Sequence, residues 1–230
     1  MRLLATLVVL LVGLVVGTAT PATAQEPTCT RPISDAEALT LAPFGAPSPI
    51  FVLDDPHLSV VVLAQPGAPD ASVAAISAAI EEWDSVLQQC FDGALSITEI
   101  SGGPRGIRNA DVVLRYTLHR GGRFVAGSAV CLPERCDVFV SSQSPNGQGG
   151  YTYTPLDVYN LALHELGHVL GLGHTTNLFE SVTDLMGYGW GPNADIEISQ
   201  CNVEALAYVW GWLLEGGTEP ERPAEATYDC

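Results

Sequence analysis

The sequence predicts an α+β domain, and three observations carry that prediction. Short runs rich in β-branched residues, LSVVVL and DVVLRYT above all, have the length and composition of buried strands. The stretch from Asp70 to Leu87 instead repeats its apolar residues at helical spacing. Two later stretches, beginning at Thr154 and Ser199, open with helix-start signals and continue as helices. The resulting order is strand, helix, three strands, helix, helix, which is not a regular strand–helix alternation.

Each element has a local justification. Leu58 to Leu63 is a continuous apolar run, and the PGAPD turn after it leads into a helix expected to be capped by Asp70 or Ser72. Val73, Ile76, Ile80, Trp83 and Leu87 then fall on one face. LSITEI (Leu95 to Ile100), DVVLRYT (Asp111 to Thr117) and DVFV (Asp137 to Val140) read as three further strands, with GGPRG as a loop. Ser141 to Thr154 is rich in turn formers and reads as a loop, with a short strand conceivable at its tyrosine-containing end. Thr154 can then cap a helix, Pro155 suits its first position and Asp157 completes a T-x-x-D capping pattern. Gly171 can take the left-handed conformation that ends it. The last helix runs from a Ser199 cap to about Leu214, with Val203, Leu206 and either Val209 or Trp210 facing inward.

Outside these elements the chain is also informative. Residues 1–24 hold one Arg, an apolar run from Leu3 to Val16 and an Ala22-Thr23-Ala24 exit, the layout of a secretory signal peptide. That run is shorter than the roughly 20 residues a membrane span needs, so cleavage after Ala24 and an extracellular location are expected. Residues 25–50 read as an extended lead-in, residues 51–214 as one domain and residues 215–230 as an acidic tail. All nine basic residues are Arg, and the net charge of −17 argues against nucleic acid or an anionic membrane as a partner. A solubilising surface explains the acidity, with calcium as a further candidate cofactor, although no DxDxDG pattern occurs. The six cysteines, Cys29, Cys90, Cys131, Cys136, Cys201 and Cys230, allow three disulfides. Cys131 and Cys136 bracket CLPERC and are expected to pair, while the other four leave three connectivities open.

The stretch HELGHVLGLGH places three of the five histidines within eleven residues. His164 and His168 are one helical turn apart on one face, so both can direct a ring nitrogen at one ion. Glu165 lies between them, placed to reach a water bound to that ion. A break at Gly171 lets the chain return His174 as a third ligand. Three neutral nitrogens with one position left open are what a catalytic zinc site uses, whereas a structural site closes the tetrahedron.

HExxHxxGxxH resembles the metzincin clan of zinc metalloproteases, whose second mark is a methionine-containing turn downstream. SVTDLMGYGW supplies Met186, the sole methionine besides Met1. The resemblance implies a matrixin-like catalytic domain over about Phe51 to Leu214: a mixed twisted sheet of four or five strands with a long packing helix, an active-site helix and a C-terminal helix. It implies that Met186 floors the ligands, and that DVFV lies near the edge strand to which an extended substrate adds, with an interior strand as the alternative for Val138 to Val140. Met186-Gly187-Tyr188 looks like the astacin and serralysin pattern, which makes Tyr188 a donor to the developing oxyanion or a pocket wall. Trp190 and Pro192 would line the pocket beyond the scissile bond. Thr175 after the third histidine, and the lack of a cysteine-switch sequence around Cys29, depart from the best-known families. One zinc is expected, with His57 and His119 solvated.

The expected activity is a secreted, monomeric zinc endopeptidase acting on protein or peptide, with Glu165 as base and then acid. Two other readings keep the same motif: a secreted binding protein on a metzincin scaffold without proteolytic activity, and a zinc amidase acting on a non-protein substrate.

Overall fold

The computed structural model describes residues 55–118, 126–132, 134–143, 151–174, 184–187 and 190–214. The signal peptide, the lead-in to residue 50, His119, Tyr188 and the acidic tail lie outside the described residues. Strands β1 (His57–Ala64), β2 (Ser96–Glu99), β3 (Val112–Thr117), β4 (Gly127–Leu132) and β5 (Arg135–Ser141) form one sheet in the order β2-β1-β3-β5-β4. The first four in that order are parallel, and β4 runs antiparallel to β5. Helices α1 (Asp70–Cys90), α2 (Pro104–Asn109), α3 (Pro155–Val169) and α4 (Gln200–Leu214) complete an α+β architecture with a mixed sheet. No helix of the described residues is long and apolar enough to cross a membrane.

Register divides the sheet into two faces. Val60, Val112 and Cys136 align across β1, β3 and β5, as do Val62, Leu114 and Val138, and then Ala64, Tyr116 and Val140. All but the exposed Ala64 belong to one core with Ile76, Ile80, Trp83, Leu163 and Leu166, Val62 being only partly buried there. The alternate residues Val61 and Val113 point the other way, where Ala110 and the partly buried Ile107 of α2 cover them. Burial on both faces is why these parallel strands read as continuous apolar runs.

Several expectations are revised. β4 was not legible as a strand, and it takes the sheet edge next to β5, so DVFV is an interior strand. Any strand addition at that end would fall to β4. The CLPERC segment closes the β4–β5 hairpin: Cys131 opposes Cys136 in register and is disulfide-bonded to it. Cys90 and Cys201 are disulfide-bonded as well. GGPRG contributes to the unforeseen α2. Helix α1 is preceded by Pro69 with no side-chain cap, Asp70 being its first residue and Ser72 a buried one inside it. Val73 is only partly buried, and Ala79 and Val86 complete the buried face with the residues expected. The tyrosine-containing end of the 141–154 loop makes one isolated bridge, Gln143 to Thr152, and not a strand.

The C-terminal half of the helix that carries His164 and His168 is held by two indoles. Trp83 of α1, fully buried, donates from Nε1 to the Leu163 carbonyl at 2.9 Å. Trp210 of α4, the inward residue where Val209 is only partly buried, donates to the Leu170 carbonyl at 3.0 Å. Helix α4 starts as expected, with Ser199 Oγ accepting from Asn202 N–H and the Asn202 side chain accepting from Ser199 N–H. Replacing Trp83 by Phe removes one donor and leaves a void against α3, so unfolding free energy should fall by about 2–4 kcal/mol. A denaturant titration reads this, and an unchanged midpoint would show that the tie from α1 contributes nothing.

Candidate metal centre

Helix α3 begins where the sequence placed it. Thr154 Oγ1 accepts from Asp157 N–H, the Asp157 carboxylate accepts from Thr154 N–H at 2.8 Å, and Pro155 stands at the first helical position. The helix ends at Val169 and reverses through Gly171 at φ 96°. Leu172 N–H reaches back to the Gly167 carbonyl and Gly171 N–H to that of His168, the paired bonds of a Schellman reversal. A side chain at residue 171 would be strained in that conformation, which is why glycine stands there. This reversal directs the chain back towards the helix and delivers His174.

The three histidines converge. Nε2 of His164 lies 3.1 Å from Nε2 of His168 and 3.2 Å from Nε2 of His174, and the three ligand atoms all lie within 4.8 Å of one another. Zinc–nitrogen bonds of about 2.0–2.1 Å at tetrahedral angles would put such nitrogens roughly 3.3–3.4 Å apart. Each helical imidazole is fixed from behind: Nδ1 of His164 donates to the Leu185 carbonyl and Nδ1 of His168 to the Leu172 carbonyl, both at 2.7 Å. A carbonyl can only accept, so Nδ1 carries the proton and the Nε2 lone pair faces the shared point. Burial pushes all three rings below the ordinary histidine range, His174 to about 3 with help from neighbouring His168. They are therefore neutral, the form that ligates a metal. Among the described residues this is the one His, Cys, Asp or Glu cluster of three or more that could hold a metal ion. His57 is exposed and its Nδ1 lies 3.0 Å from Ser96 Oγ, away from this cluster, as expected of a solvated residue.

The surrounding groups shape the site. Glu165 is 4% exposed, and a methyl group built on Gly127 at the start of β4 would collide with its carboxylate and come within 2.9 Å of its Cγ. The carboxylate therefore lies between α3 and the first residue of the edge strand. Met186 is fully buried, and a side chain at Gly167 would meet its sulfur at 2.6 Å, so the methionine is seated directly on the helix between the ligand turns. The turn that presents it is organised by Asp184, which sequence reasoning missed: Met186 N–H donates to its carboxylate and Gly187 N–H to its carbonyl. Trp190 packs edge-on against His164, ring centroids 5.2 Å apart, and its indole N–H donates to the Asp184 carbonyl. Pro192 is exposed. Tyr188 lies outside the described residues.

The chain is similar in sequence to one plant protein, Metalloendoproteinase 5-MMP of Arabidopsis thaliana, at 30% identity over 79 residues, or 32% of this chain. The match spans about a fifth of that relative's length. No family model matches. Among solved structures, distant likenesses are found to archaemetzincin from Methanopyrus kandleri (TM-score 0.36, 20% identity, 67% of this chain and 89% of that one) and metalloproteinase-II from Bacteroides fragilis (0.35, 18%, 70% and 53%). A third is to high choriolytic enzyme 1, a hatching-enzyme zinc-protease of the medaka Oryzias latipes (0.37, 12%, 70% and 93%).

Because Leu185 orients His164 and Met186 is seated on Gly167, crowding that seat should disturb the ligand. Gly167→Ala is expected to weaken zinc affinity about 10- to 100-fold, the range for lost support behind a ligand. Competition with a chromophoric chelator measures this, and an affinity equal to that of the wild type would disconnect the methionine turn from the metal centre.

Proposed function

We propose that this chain is a secreted zinc-dependent endopeptidase of the metzincin type. The observation that carries the reading is the convergence of three neutral Nε2 atoms, with Glu165, the residue after the first of them, buried against Gly127 of β4. The donor set fits zinc: imidazole nitrogens at near-tetrahedral separation, each helical one fixed by a carbonyl acceptor on its other nitrogen. A zinc ion held there supplies Lewis-acid polarisation of a substrate carbonyl and a lowered pKa for a bound water, towards about 7. Glu165 takes the proton of the attacking water and passes it to the leaving amine, so one carboxylate is base and then acid. Its carboxylate lies against Gly127, at the start of β4. Tyr188, two residues beyond the methionine, is assigned as a donor to the developing oxyanion. The leader-like residues 1–24 support export, and the Cys131–Cys136 disulfide agrees with it. The substrate class is extended protein or peptide, and the similarity to Metalloendoproteinase 5-MMP supports it.

Glu165→Gln should retain zinc and lose hydrolysis by about 10³-fold or more, since a general base contributes roughly 10²–10⁴. A peptide-library digest with metal analysis on the same sample checks it, with chelator-treated wild type as the inactive reference. Retained cleavage by the variant would overturn the role of Glu165, and a wild type that cleaves no peptide would overturn the endopeptidase reading. For Tyr188, the Phe variant should lower kcat by about a hundredfold at unchanged zinc content. A kcat equal to that of the wild type would leave the oxyanion to the metal alone.

A further inference from the structure

The first turn of α3 does more than cap a helix. The Asp157 carboxylate accepts four hydrogen bonds: from Thr154 N–H and Thr154 Oγ1 at 2.8 Å, from the Tyr151 hydroxyl at 2.9 Å and from Asn193 N–H at 2.6 Å. Capping requires only the bond from Thr154 N–H. The one from Asn193 crosses to a segment 36 residues away, the strap that leaves the site after Trp190. One turn further along α3, Asn160 donates from Nδ2 to the Ala194 carbonyl at 2.9 Å. Asn160 is 2% exposed among Val158, Leu161 and Leu163, where an apolar residue would avoid burying an amide. The bond to Ala194 is what the buried amide provides. Burial alone would push the Asp157 carboxyl up, but the donors from Asn193, Thr154 and Tyr151 outweigh it and hold it below the usual carboxylate range. Asn193 itself stands at φ 54°, a left-handed turn position that asparagine takes more readily than most side-chain residues.

The strap is thus fixed at both ends to elements of the metal centre. At one end the Trp190 indole is bonded to Asp184 and lies against His164. At the other, Asn193 and Ala194 are bonded to the first two turns of the same helix that supplies His164 and His168. We infer that Asp157 and Asn160 are positioning residues: they latch the Trp190–Ala194 strap to α3, so that Trp190 forms a fixed wall for the substrate side chain next to the zinc ligands. This rests on the endopeptidase reading for its substrate, but the latch itself is a statement about the protein without substrate. Loss of the latch should therefore alter substrate fit without altering the metal.

The test uses zinc-loaded full-length protein and the variants Asp157→Asn and Asn160→Ala, with Ser199→Ala as the comparison: it removes the cap hydroxyl of α4 and none of the bonds that join Asn193 and Ala194 to α3. Amide hydrogen exchange should rise at least about tenfold at Asn193 and Ala194 in the two latch variants, with protection of 158–169 and zinc content unchanged. In peptide cleavage the same variants should raise KM by about fivefold or more and change the preferred side chain beside the cut, with kcat moved less. Ser199→Ala should lower Tm while leaving KM and preference unchanged. Equal exchange at residues 193–194 in wild type and latch variants would overturn the latch. So would exchange that rises across all of α3, because Asp157 would then be only a cap. Faster strap exchange with unaltered KM and preference would overturn the positioning role. If the wild type cleaves no peptide, the endopeptidase reading fails, and with it the assigned substrate wall, while the exchange measurement still decides the latch.

Discussion

The centre depends on two imidazoles being held from behind by backbone carbonyls that come from elsewhere in the chain. His164 and His168 are neighbours on α3 by helical geometry alone, but geometry does not choose which ring nitrogen faces the shared point. The Leu185 and Leu172 carbonyls make that choice. Both acceptors follow α3 in sequence, one just after the glycine reversal and one in the methionine turn. The helix therefore becomes a metal site only when the chain beyond it has folded back in register. A hydrogen bond of this kind contributes only about 0.5–1.5 kcal/mol net, yet the alternative tautomer would turn a proton, not a lone pair, towards the ion.

That dependence explains the packing around α3. Both neighbouring helices send a buried indole to a helix carbonyl, one at Leu163 and one at Leu170, so the histidine turns lie between two fixed points. Gly167 lets Met186 approach the helix where any larger residue would hold it off, and Gly127 does the same for Glu165 from the side of the sheet. Four different parts of the chain, α1, α4, the methionine turn and β4, are thereby referred to one helix. Displacement of the helix would be felt at every ligand together.

The sequence showed most clearly those features whose physics is local. The capping pattern at Thr154 to Asp157, the Gly171 exit and the Ser199 cap each depend on residues within one turn, and all three stand as read. The paired cysteines of CLPERC were legible for the same reason. Strand β4 was not: GSAVCL carries three small residues in six, and its strand character comes from pairing with β5 and from the disulfide-closed hairpin. Helix α2 is a single short element, built on a PRGIRN sequence whose Pro and Gly signal a turn as readily. Pro69 ahead of α1 provides no side-chain cap, so propensity and packing place that helix boundary. The contacts of Asp184 and Asn160, and the bond from Asn193 to Asp157, were invisible for a different reason, since they involve backbone groups whose position only the tertiary structure sets.

The placement of β4 bears on how the proposed chemistry is oriented. Its partner β5 is satisfied on both sides, by β3 and by β4, so DVFV has no edge to offer a peptide. β4 is terminal in the sheet among the described residues, and it begins at Gly127, against the Glu165 carboxylate. An extended chain added along β4 would consequently run past Glu165 at the point where the strand begins. The helix supplies His164, His168 and the carboxylate, and a peptide backbone added to the edge strand would meet them along the line of β4. Residue 127 must then satisfy two conditions at once: an extended backbone that continues the sheet, and no side chain where the carboxylate lies. Glycine meets both, which gives a physical reason for a residue that otherwise weakens a strand.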